Sequence, residues 1–291
     1  MNDHLKGILI TTLGVLLVVP DSLFVRIIPA DPMVTAFWRG LVSGLIIFVA
    51  VLVFQGPAGF RAVLGTGRVG LFYVVLIGST TPGFTLAISN TSVANVVFIF
   101  ATTPIFAAVF SRIFLAEPIS RRMVITMLFV IGGLGIITIG STETDIASWK
   151  GDLIALYVAA AFAAALTAVR KVKEVSMIPA IPIAYMGAAI VMAFFINPLP
   201  DFQVHWPLFT AHGAFICAAT CLLTLGPRLI SSAEVSLLIL LESVLAPILV
   251  WIVIGEDPGP WAIVGGVVVI GALVISNLVA MRTASQTDEM V

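Results

Sequence analysis

Long runs of apolar residues dominate the chain and limit the folds open to it. Each run has about 20 residues, and at about 1.5 Å per helical residue that length spans the roughly 30 Å hydrocarbon core of a bilayer. Of the 291 residues, 60% are apolar and only 10% are charged, against about 45–50% and about 25% in soluble chains. Transmembrane β-barrels alternate apolar and polar residues, whereas these runs are continuous. The pattern predicts an all-α, multi-pass membrane protein.

Ten such runs are bounded by Pro, Gly, Asn or charged residues. Their predicted limits are 6–28, 32–54, 67–88, 92–115, 121–140, 150–170, 178–197, 206–226, 232–254 and 260–280. The segments between them are short, so we expect no extramembrane domain. The first run is too long for a signal peptide and nine more follow it, so we expect it to be retained.

A stretch of the first half, 91–139, recurs in the second half at a fixed offset of 139 residues. The recurring residues include Ser92 and Ser231, Ala94 and Ala233, Glu117 and Glu256, and Gly132 and Gly271. Internal repetition on this scale fixes an architecture, here two five-helix units, 1–140 and 141–291. Because five is odd, the second unit enters the membrane with opposite polarity, which predicts an inverted repeat with halves related by about 180° around an in-plane axis.

Charge and tryptophan positions predict the orientation. With a cytoplasmic N-terminus, 11 Lys and Arg residues lie at the inner side and 3 at the outer side, as the excess of basic residues in cytoplasmic loops requires. All five Trp residues then fall near outer helix ends, where they anchor at the interface. Glu117 and Glu256 each precede an apolar run, and we expect each to favour the N-terminal dipole of the helix that follows it.

Three ionisable residues inside the apolar runs are the first functional candidates, because such groups are costly in a bilayer. Asp21 and Arg39 each lie nine positions from the centre of the first hairpin, at a depth of roughly 10 Å. Opposite charges at one depth gain by pairing, so we expect an ion pair, with separate partners or a water-filled cavity as alternatives. Glu242 lies ~15 Å into the ninth run, near the midplane. It is either a titrating site or a neutral Glu hydrogen-bonded between helices.

Hydroxyl, amide and aromatic side chains recur at helical spacing and form a second set of candidates. They are Thr81, Thr85 and Ser89 in the third run, Asn95, Thr102 and Phe106 in the fourth, and Tyr157 in the sixth. Such residues often bond to their own backbone or to a neighbouring helix. The alternative is a polar cavity that suits a zwitterion with an apolar side chain.

Proline and glycine positions indicate kinks and close contacts. Proline removes a backbone hydrogen bond, so the candidates for hinges or a broken-helix site are Pro20, Pro82, Pro104 and Pro247. Kinks that only fit the packing are the alternative. Gly40 and Gly44 permit close helix contact, which we assign to internal packing, and we expect a monomer.

Several functional classes lack their sequence signals. The chain has no G-x-x-x-x-G-K-[ST] loop and no Ser/His/Asp arrangement, and a net charge of −1 gives no sign of a nucleic-acid partner. We therefore expect no enzyme, no cofactor and no metal. The His and Cys residues make no metal-ligand pattern and are interpreted as packing residues or are left without a role: His4, His205, His212, Cys217 and Cys221.

Short motifs resemble those of the EamA-type branch of the drug/metabolite transporter superfamily. AFWRG stands at 36–40, LLES at 240–243, and each half has an apolar run ending in L-x-E-P or I-G-E-D before a Gly-rich run. The likeness covers nearly the whole chain and is greatest to the ten-span exporters of amino acids, those of aromatic amino acids included. Pro20-Asp21 stands where the family usually carries a Trp-Gly pair, so substrate contacts of the first span are not carried over.

The resemblance implies a secondary transporter that exports small metabolites, amino acids with aromatic or apolar side chains above all, by alternating access in a bacterial inner membrane. Its partners are then a small-molecule substrate and the bilayer, and proton coupling stays open. The Asp21–Arg39 pair would be an outer gate latch or the receiver of a substrate's ammonium and carboxylate. A nucleotide-sugar or drug carrier is the alternative. A membrane-embedded enzyme or a channel would need a polar cluster at one face, rings of charge or a carbonyl filter.

The charge distribution generates a topological prediction. Both termini and the Arg121–Arg122 loop are expected at the cytoplasmic side, and the segments 141–149, 198–205 and 255–259 at the outer side. Accessibility of single introduced cysteines to an impermeant reagent measures this. Strong labelling from the outside at position 121 would contradict the orientation.

Overall fold

The structure, a computed structural model, describes residues 3–116, 118–140, 147–172, 174–225, 229 and 232–288. These residues form thirteen helices and no strand. The helices are α1 (Asp3–Val18), α2 (Asp21–Ile27), α3 (Pro32–Phe54), α4 (Pro57–Gly65), α5 (Arg68–Asn90), α6 (Val93–Phe100), α7 (Thr103–Phe114), α8 (Arg121–Gly140), α9 (Trp149–Lys171), α10 (Ala180–Ala193), α11 (Leu199–Leu225), α12 (Ser232–Ile254) and α13 (Pro260–Asp288).

Every predicted apolar run contains helix. Among the described residues, seven helical segments are long and apolar enough to cross a membrane, and two of these, Leu5–Ile27 and Val93–Phe114, each combine two helices. Shorter apolar helices occupy the other three runs, at Ala180–Ala193, Leu238–Ile254 and Pro260–Ser276. The predicted all-α membrane fold is confirmed.

Two segments predicted as loops are helical. Helix α4 follows Gly56, whose φ of 66° is the left-handed conformation that glycine adopts readily, and it starts at Pro57, since proline fits a first helical turn. Helix α11 begins at Leu199, and a kink with non-helical angles at His205 joins this first segment to the predicted run. The loop predicted at 198–205 is therefore wrong for residues 199–204.

The four prolines divide into two kinds. Pro20 lies between α1 and α2. Pro104 lies in the first turn of α7, just after the helix is interrupted at Ala101 and Thr102. Pro82 and Pro247 lie inside α5 and α12, which continue through them. The first and fourth spans are thus interrupted, whereas the third and ninth are not. A hinge role for any of the four remains a prediction.

The two halves of the chain interleave. Helix α5 packs on α9, α1 on α11, α3 on α10, and α8 on α13. If each helix is replaced by its counterpart in the other half, the α5–α9 contact becomes the α11–α1 contact. The α3–α10 and α8–α13 contacts remain the same, because each joins a helix to its own counterpart. A two-fold relation between the halves requires this pattern, and the direction of its axis remains a prediction. The largest apolar cluster among the described residues joins α2, α5, α6, α9 and α12, so this part of the core lies between the halves.

Trp38 does not serve as a simple interfacial anchor. Its Nε1 donates to the carbonyl oxygen of Pro198 at 3.0 Å, and its ring stacks on Phe202 at 3.8 Å between centroids. It therefore fixes α3 to the start of α11. The other tryptophans are exposed, as interfacial anchors require: Trp149, Trp206, Trp251 and Trp261.

Glycines set the closest approaches between helices. A Cβ added to Gly40 would lie 3.2 Å from the carbonyl oxygen of Tyr185, and one added to Gly44 would lie 2.9 Å from Met186 Cγ. These contacts confirm that Gly40 and Gly44 pack internally, on α10. Helices α8 and α13 meet still more closely at Gly133, whose added Cβ would lie 2.9 Å from the Gly265 carbonyl oxygen and 2.7 Å from Val269 Cγ2.

Gly133 and Gly135 provide a matched test of this contact on one helix. A Cβ at Gly135 would have no neighbour within 4 Å. Gly133→Ala is expected to lower the free energy of unfolding by about 1–3 kcal/mol, because the backbone of α13 must move. Gly135→Ala is expected to be neutral or to stabilise by about 0.4–1 kcal/mol. Thermal unfolding in detergent measures both, and equal midpoints for the two variants would contradict the close contact.

Candidate functional site

A buried ion pair lies where α2 meets α3. Asp21 is the first residue of α2, directly after the break at Pro20, and Arg39 lies on α3. The Arg39 Nε and Nη2 groups donate to Asp21 Oδ1 at 2.9 Å and Oδ2 at 2.5 Å. This two-point geometry is the strong form of a guanidinium–carboxylate contact. The predicted Asp21–Arg39 pair is confirmed.

His212 of α11 is the third member of the cluster. Its Nε2 lies 2.6 Å from Asp21 Oδ1, and its ring stacks on Phe24 at 5.1 Å between centroids. The ring is fully buried, and no described residue offers its Nδ1 atom a hydrogen bond. In the sequence His212 shows no metal-ligand pattern, and it is not among the predicted site residues. The available signal was an ionisable side chain inside an apolar run.

The Asp21–Arg39–His212 cluster is buried and is flanked by aromatic rings. Asp21 is 2% exposed and Arg39 is 9% exposed, and the Arg39 guanidinium lies 5.6 Å from the centre of the Phe84 ring. Buried charges remain stable only if they are paired. Because Asp21 and Arg39 come from the first half and His212 from the second, the pairing also joins the halves.

Glu242 lies deeper in the bundle, on α12. It is half-buried and lies within electrostatic range of Asp21 and Arg39. No hydrogen bond to its carboxylate is found among the described residues. Twelve residues separate Glu242 from the end of α12 and six separate Asp21 from the end of α2, which places them ~18 Å and ~9 Å from those ends. The adjacent Ser243 donates to the Val97 carbonyl oxygen at 3.3 Å and so holds α12 against α6.

A second ion pair lies at the end of the bundle that is predicted to be the outer one. Arg26 Nε lies 2.7 Å from Glu256 Oε2, and Arg26 Nη2 donates to the Thr91 carbonyl oxygen at 2.8 Å. The backbone N–H of Val93, the first residue of α6, donates to Glu256 Oε1 at 2.8 Å. Glu256 therefore stabilises the start of α6 in the other half. The expectation that it serves the following helix, α13, is wrong, and Glu117 lies outside the described residues.

Asn95 takes part in a polar contact between α6 and α9. Its Nδ2 donates to Asp152 Oδ1 at 3.1 Å, and the Thr91 hydroxyl donates to the same oxygen at 2.8 Å. The side chains of Thr91, Asn95 and Asp152 are all buried. Asp152 lies inside the run predicted at 150–170 and is not among the predicted site residues, although an acidic side chain inside an apolar run was the available signal.

The remaining predicted residues lie on α5, α9 and the break before α7. Thr85 donates to the Thr81 carbonyl oxygen at 3.3 Å and Thr102 to that of Ile99 at 2.6 Å, so these hydroxyls bond to their own backbone. The Thr81 hydroxyl is buried with no partner among the described residues. Tyr157 is half-exposed and donates to Ser79 Oγ at 2.8 Å across the α5–α9 contact. Within the described ranges, no three His, Cys, Asp or Glu side chains converge to hold a metal ion.

Apolar helices in two interleaved halves, with paired charges buried between them, define a multi-pass membrane protein built from two repeats. The profile of the EamA-like transporter family matches residues 5–139 and again residues 149–278. The chain belongs to the EamA-like transporter family, within the drug/metabolite transporter superfamily. It is a membrane transporter of small solutes.

Comparison with solved structures agrees on the fold. Fourteen chains of solved structures are similar to this one. One of them, a crystal structure, aligns with this chain at a TM-score of 0.67 and 15% sequence identity. The alignment covers 96% of this chain and 99% of that chain. At that identity the likeness shows a shared fold alone. No curated protein sequence matches the chain.

The geometry of the cluster predicts how single and double substitutions differ. Asp21→Asn leaves the Arg39 charge buried without its counter-ion and is expected to lower the free energy of unfolding by about 3–5 kcal/mol. Asp21→Asn with Arg39→Gln removes both charges and is expected to recover most of that loss. Thermal unfolding in detergent compares them, with Glu174→Gln as an exposed control. A double variant no more stable than Asp21→Asn would show that the two charges do not depend on each other.

Proposed function

We propose that the chain is a secondary transporter that exports small metabolites across a bacterial inner membrane by alternating access, with both termini cytoplasmic. Its proposed substrates are amino acids with aromatic or apolar side chains. The observation that carries the proposal is the Asp21–Arg39–His212 cluster, which is buried between the two halves and links them.

Alternating access needs contacts between the halves that form on one side of the membrane and break on the other. Asp21–His212 and Arg26–Glu256 are both contacts between the halves, and both lie toward the predicted outer end. We assign them to a closed outer gate, with the arrangement described here as its closed form. Opening this gate separates α2 from α11 and from the segment after α12.

Charge balance supports proton coupling at the same site. With Asp21 and Arg39 ionised, the four side chains of Asp21, Arg39, His212 and Glu242 have no net charge only when His212 and Glu242 hold one proton between them. The proton can occupy either residue without changing the total charge. A net charge in a low-dielectric interior is costly, so the closed form favours this single-proton state. His212 then provides an outer position for the proton, and Glu242 provides one nearer the midplane.

The substrate class rests on the chemistry around the cluster and on the family. An amino acid brings an ammonium group, a carboxylate and a side chain. The Glu242 carboxylate suits the ammonium, and Arg39, if released from Asp21, suits the carboxylate. The rings of Phe24 and Phe84 give an apolar surface beside them. A cationic drug is the second candidate, because Glu242 has no hydrogen-bond partner among the described residues.

Transport by the purified full-length protein in proteoliposomes tests the proposed function. We expect efflux of labelled aromatic or apolar amino acids that rises with an imposed pH gradient. Liposomes without protein and an excess of unlabelled substrate are the controls. No transport of any amino acid would contradict the substrate class, and transport of cationic dyes in its place would support the second candidate.

Glu242→Gln separates coupling from packing, since Gln keeps the shape of Glu and cannot titrate. We expect this variant to fold, to exchange labelled for unlabelled substrate, and to lose most of the stimulation by a pH gradient. His212→Gln is expected to behave alike, because each variant removes one of the two proton positions. Glu174→Gln is the control, as an exposed acid on a loop. A wild-type pH profile in Glu242→Gln would return that residue to a packing role.

A further inference from the structure

An apolar groove opens between α5, α7 and α9, at the ends of these helices that carry Arg68, Phe114 and Lys171. Its volume is about 330 Å³. None of the residues of the Asp21–Arg39–His212 cluster lines it. The groove is therefore separate from the site described above.

The walls of the groove face the surroundings of the bundle. Phe72 of α5 and Phe114 of α7 are 50% and 61% exposed, and their neighbours Leu71 and Ile113 are 65% and 64% exposed. The hydroxyl of Thr167, which belongs to the groove lining, donates to the Ala163 carbonyl oxygen of its own helix at 2.9 Å. In a membrane protein such surfaces contact lipid tails, so an occupant of the groove enters from the bilayer.

The rim of the groove is basic. Arg68 is the first residue of α5 and Lys171 is the last residue of α9, and both are exposed. Neither has an acidic partner among the described residues. Arg112 and Arg170 add charge in the last turns of α7 and α9. The nearest acid in the described sequence, Glu174, follows Lys171 by three positions and is exposed.

We propose that this groove binds an anionic phospholipid. One acyl chain lies between Phe72 and Phe114, and the phosphate contacts Arg68 and Lys171. Basic pockets between membrane helices bind anionic head groups through the same combination of features. The groove thus matches both parts of the ligand, an apolar chain and a negative group at its end.

A second copy of the chain fits the groove less well. A symmetric contact brings the same patch of both copies together, so Arg68 and Lys171 would face their own equivalents. Such like-charge contacts are unfavourable. An anionic lipid has the opposite charge and meets no such repulsion.

Lipid binding here would act on both halves of the transporter, because α5 and α7 belong to the first half and α9 to the second. Arg68 and Asn90 are the two ends of α5, about 33 Å apart at the helical rise. The groove therefore lies at the opposite end of the bundle from the Arg26–Glu256 contact. A bound lipid would hold α5, α7 and α9 together at that end.

Native mass spectrometry of the full-length protein with phosphatidylglycerol or phosphatidylcholine tests the proposal. We expect phosphatidylglycerol to bind more tightly by about 30-fold, and Arg68→Gln with Lys171→Gln to reduce this preference to about twofold or less. The matched control is Arg61→Gln with Lys150→Gln, which removes two exposed charges that do not line the groove and is expected to keep the preference. Ala164→Phe fills the groove without a change of charge and is expected to weaken binding of phosphatidylglycerol.

Several outcomes would overturn the proposal. These are equal binding of the two lipids, a preference that survives Arg68→Gln with Lys171→Gln, or binding of soluble glycerol phosphate as tight as that of the lipid. Dimers that disappear in Ala164→Phe would assign the groove to contact between copies. Gel filtration confirms that each variant is folded before it is compared. The amino-acid transport assay plays no part in this test, so the two proposals succeed or fail separately.

Discussion

A carboxylate and a guanidinium persist in the apolar interior of this bundle because they bind each other. Either charge alone would be costly at that depth, whereas two hydrogen bonds between Asp21 and Arg39 satisfy both. His212 adds a contact from the second half. The pairing therefore does more than neutralise charge, since it also determines how α2, α3 and α11 meet. A rearrangement of the halves must supply these groups with new partners or with water.

The contacts between the halves differ in kind along the bundle. At the predicted outer end they are polar and specific, through Arg26 with Glu256 and through Asn95 with Asp152. Between α8 and α13 they depend on small residues that let two backbones approach. Ion pairs and hydrogen bonds can exchange partners with water when a gate opens. Close backbone contacts at glycine lose their packing when they separate, so they suit surfaces that stay together during transport.

Helix breaks place the functional groups. The break at Pro20 starts α2 at Asp21, and the break at Ala101 and Thr102 separates α6 from α7. Interrupted spans expose backbone groups that a continuous helix would satisfy, and in a membrane such groups must find partners inside the protein. The Thr102 hydroxyl provides one such partner at the second break, because it donates to the Ile99 carbonyl oxygen. Broken spans, buried charge and contacts between the halves thus occur together, as they do where transporters build their sites.

The sequence by itself determined the features that depend on local patterns. The apolar runs predicted the helices, and the equal distance of Asp21 and Arg39 from one turn predicted that they meet, since depth follows from helical rise alone. The partners supplied by distant helices were decided only by tertiary structure. His212 reaches Asp21, Glu256 stabilises α6 rather than α13, and Asp152 binds Asn95. The physical reason is that the rise along one helix fixes a residue's depth, whereas the rotation of each helix and its neighbours are determined only when the helices pack together.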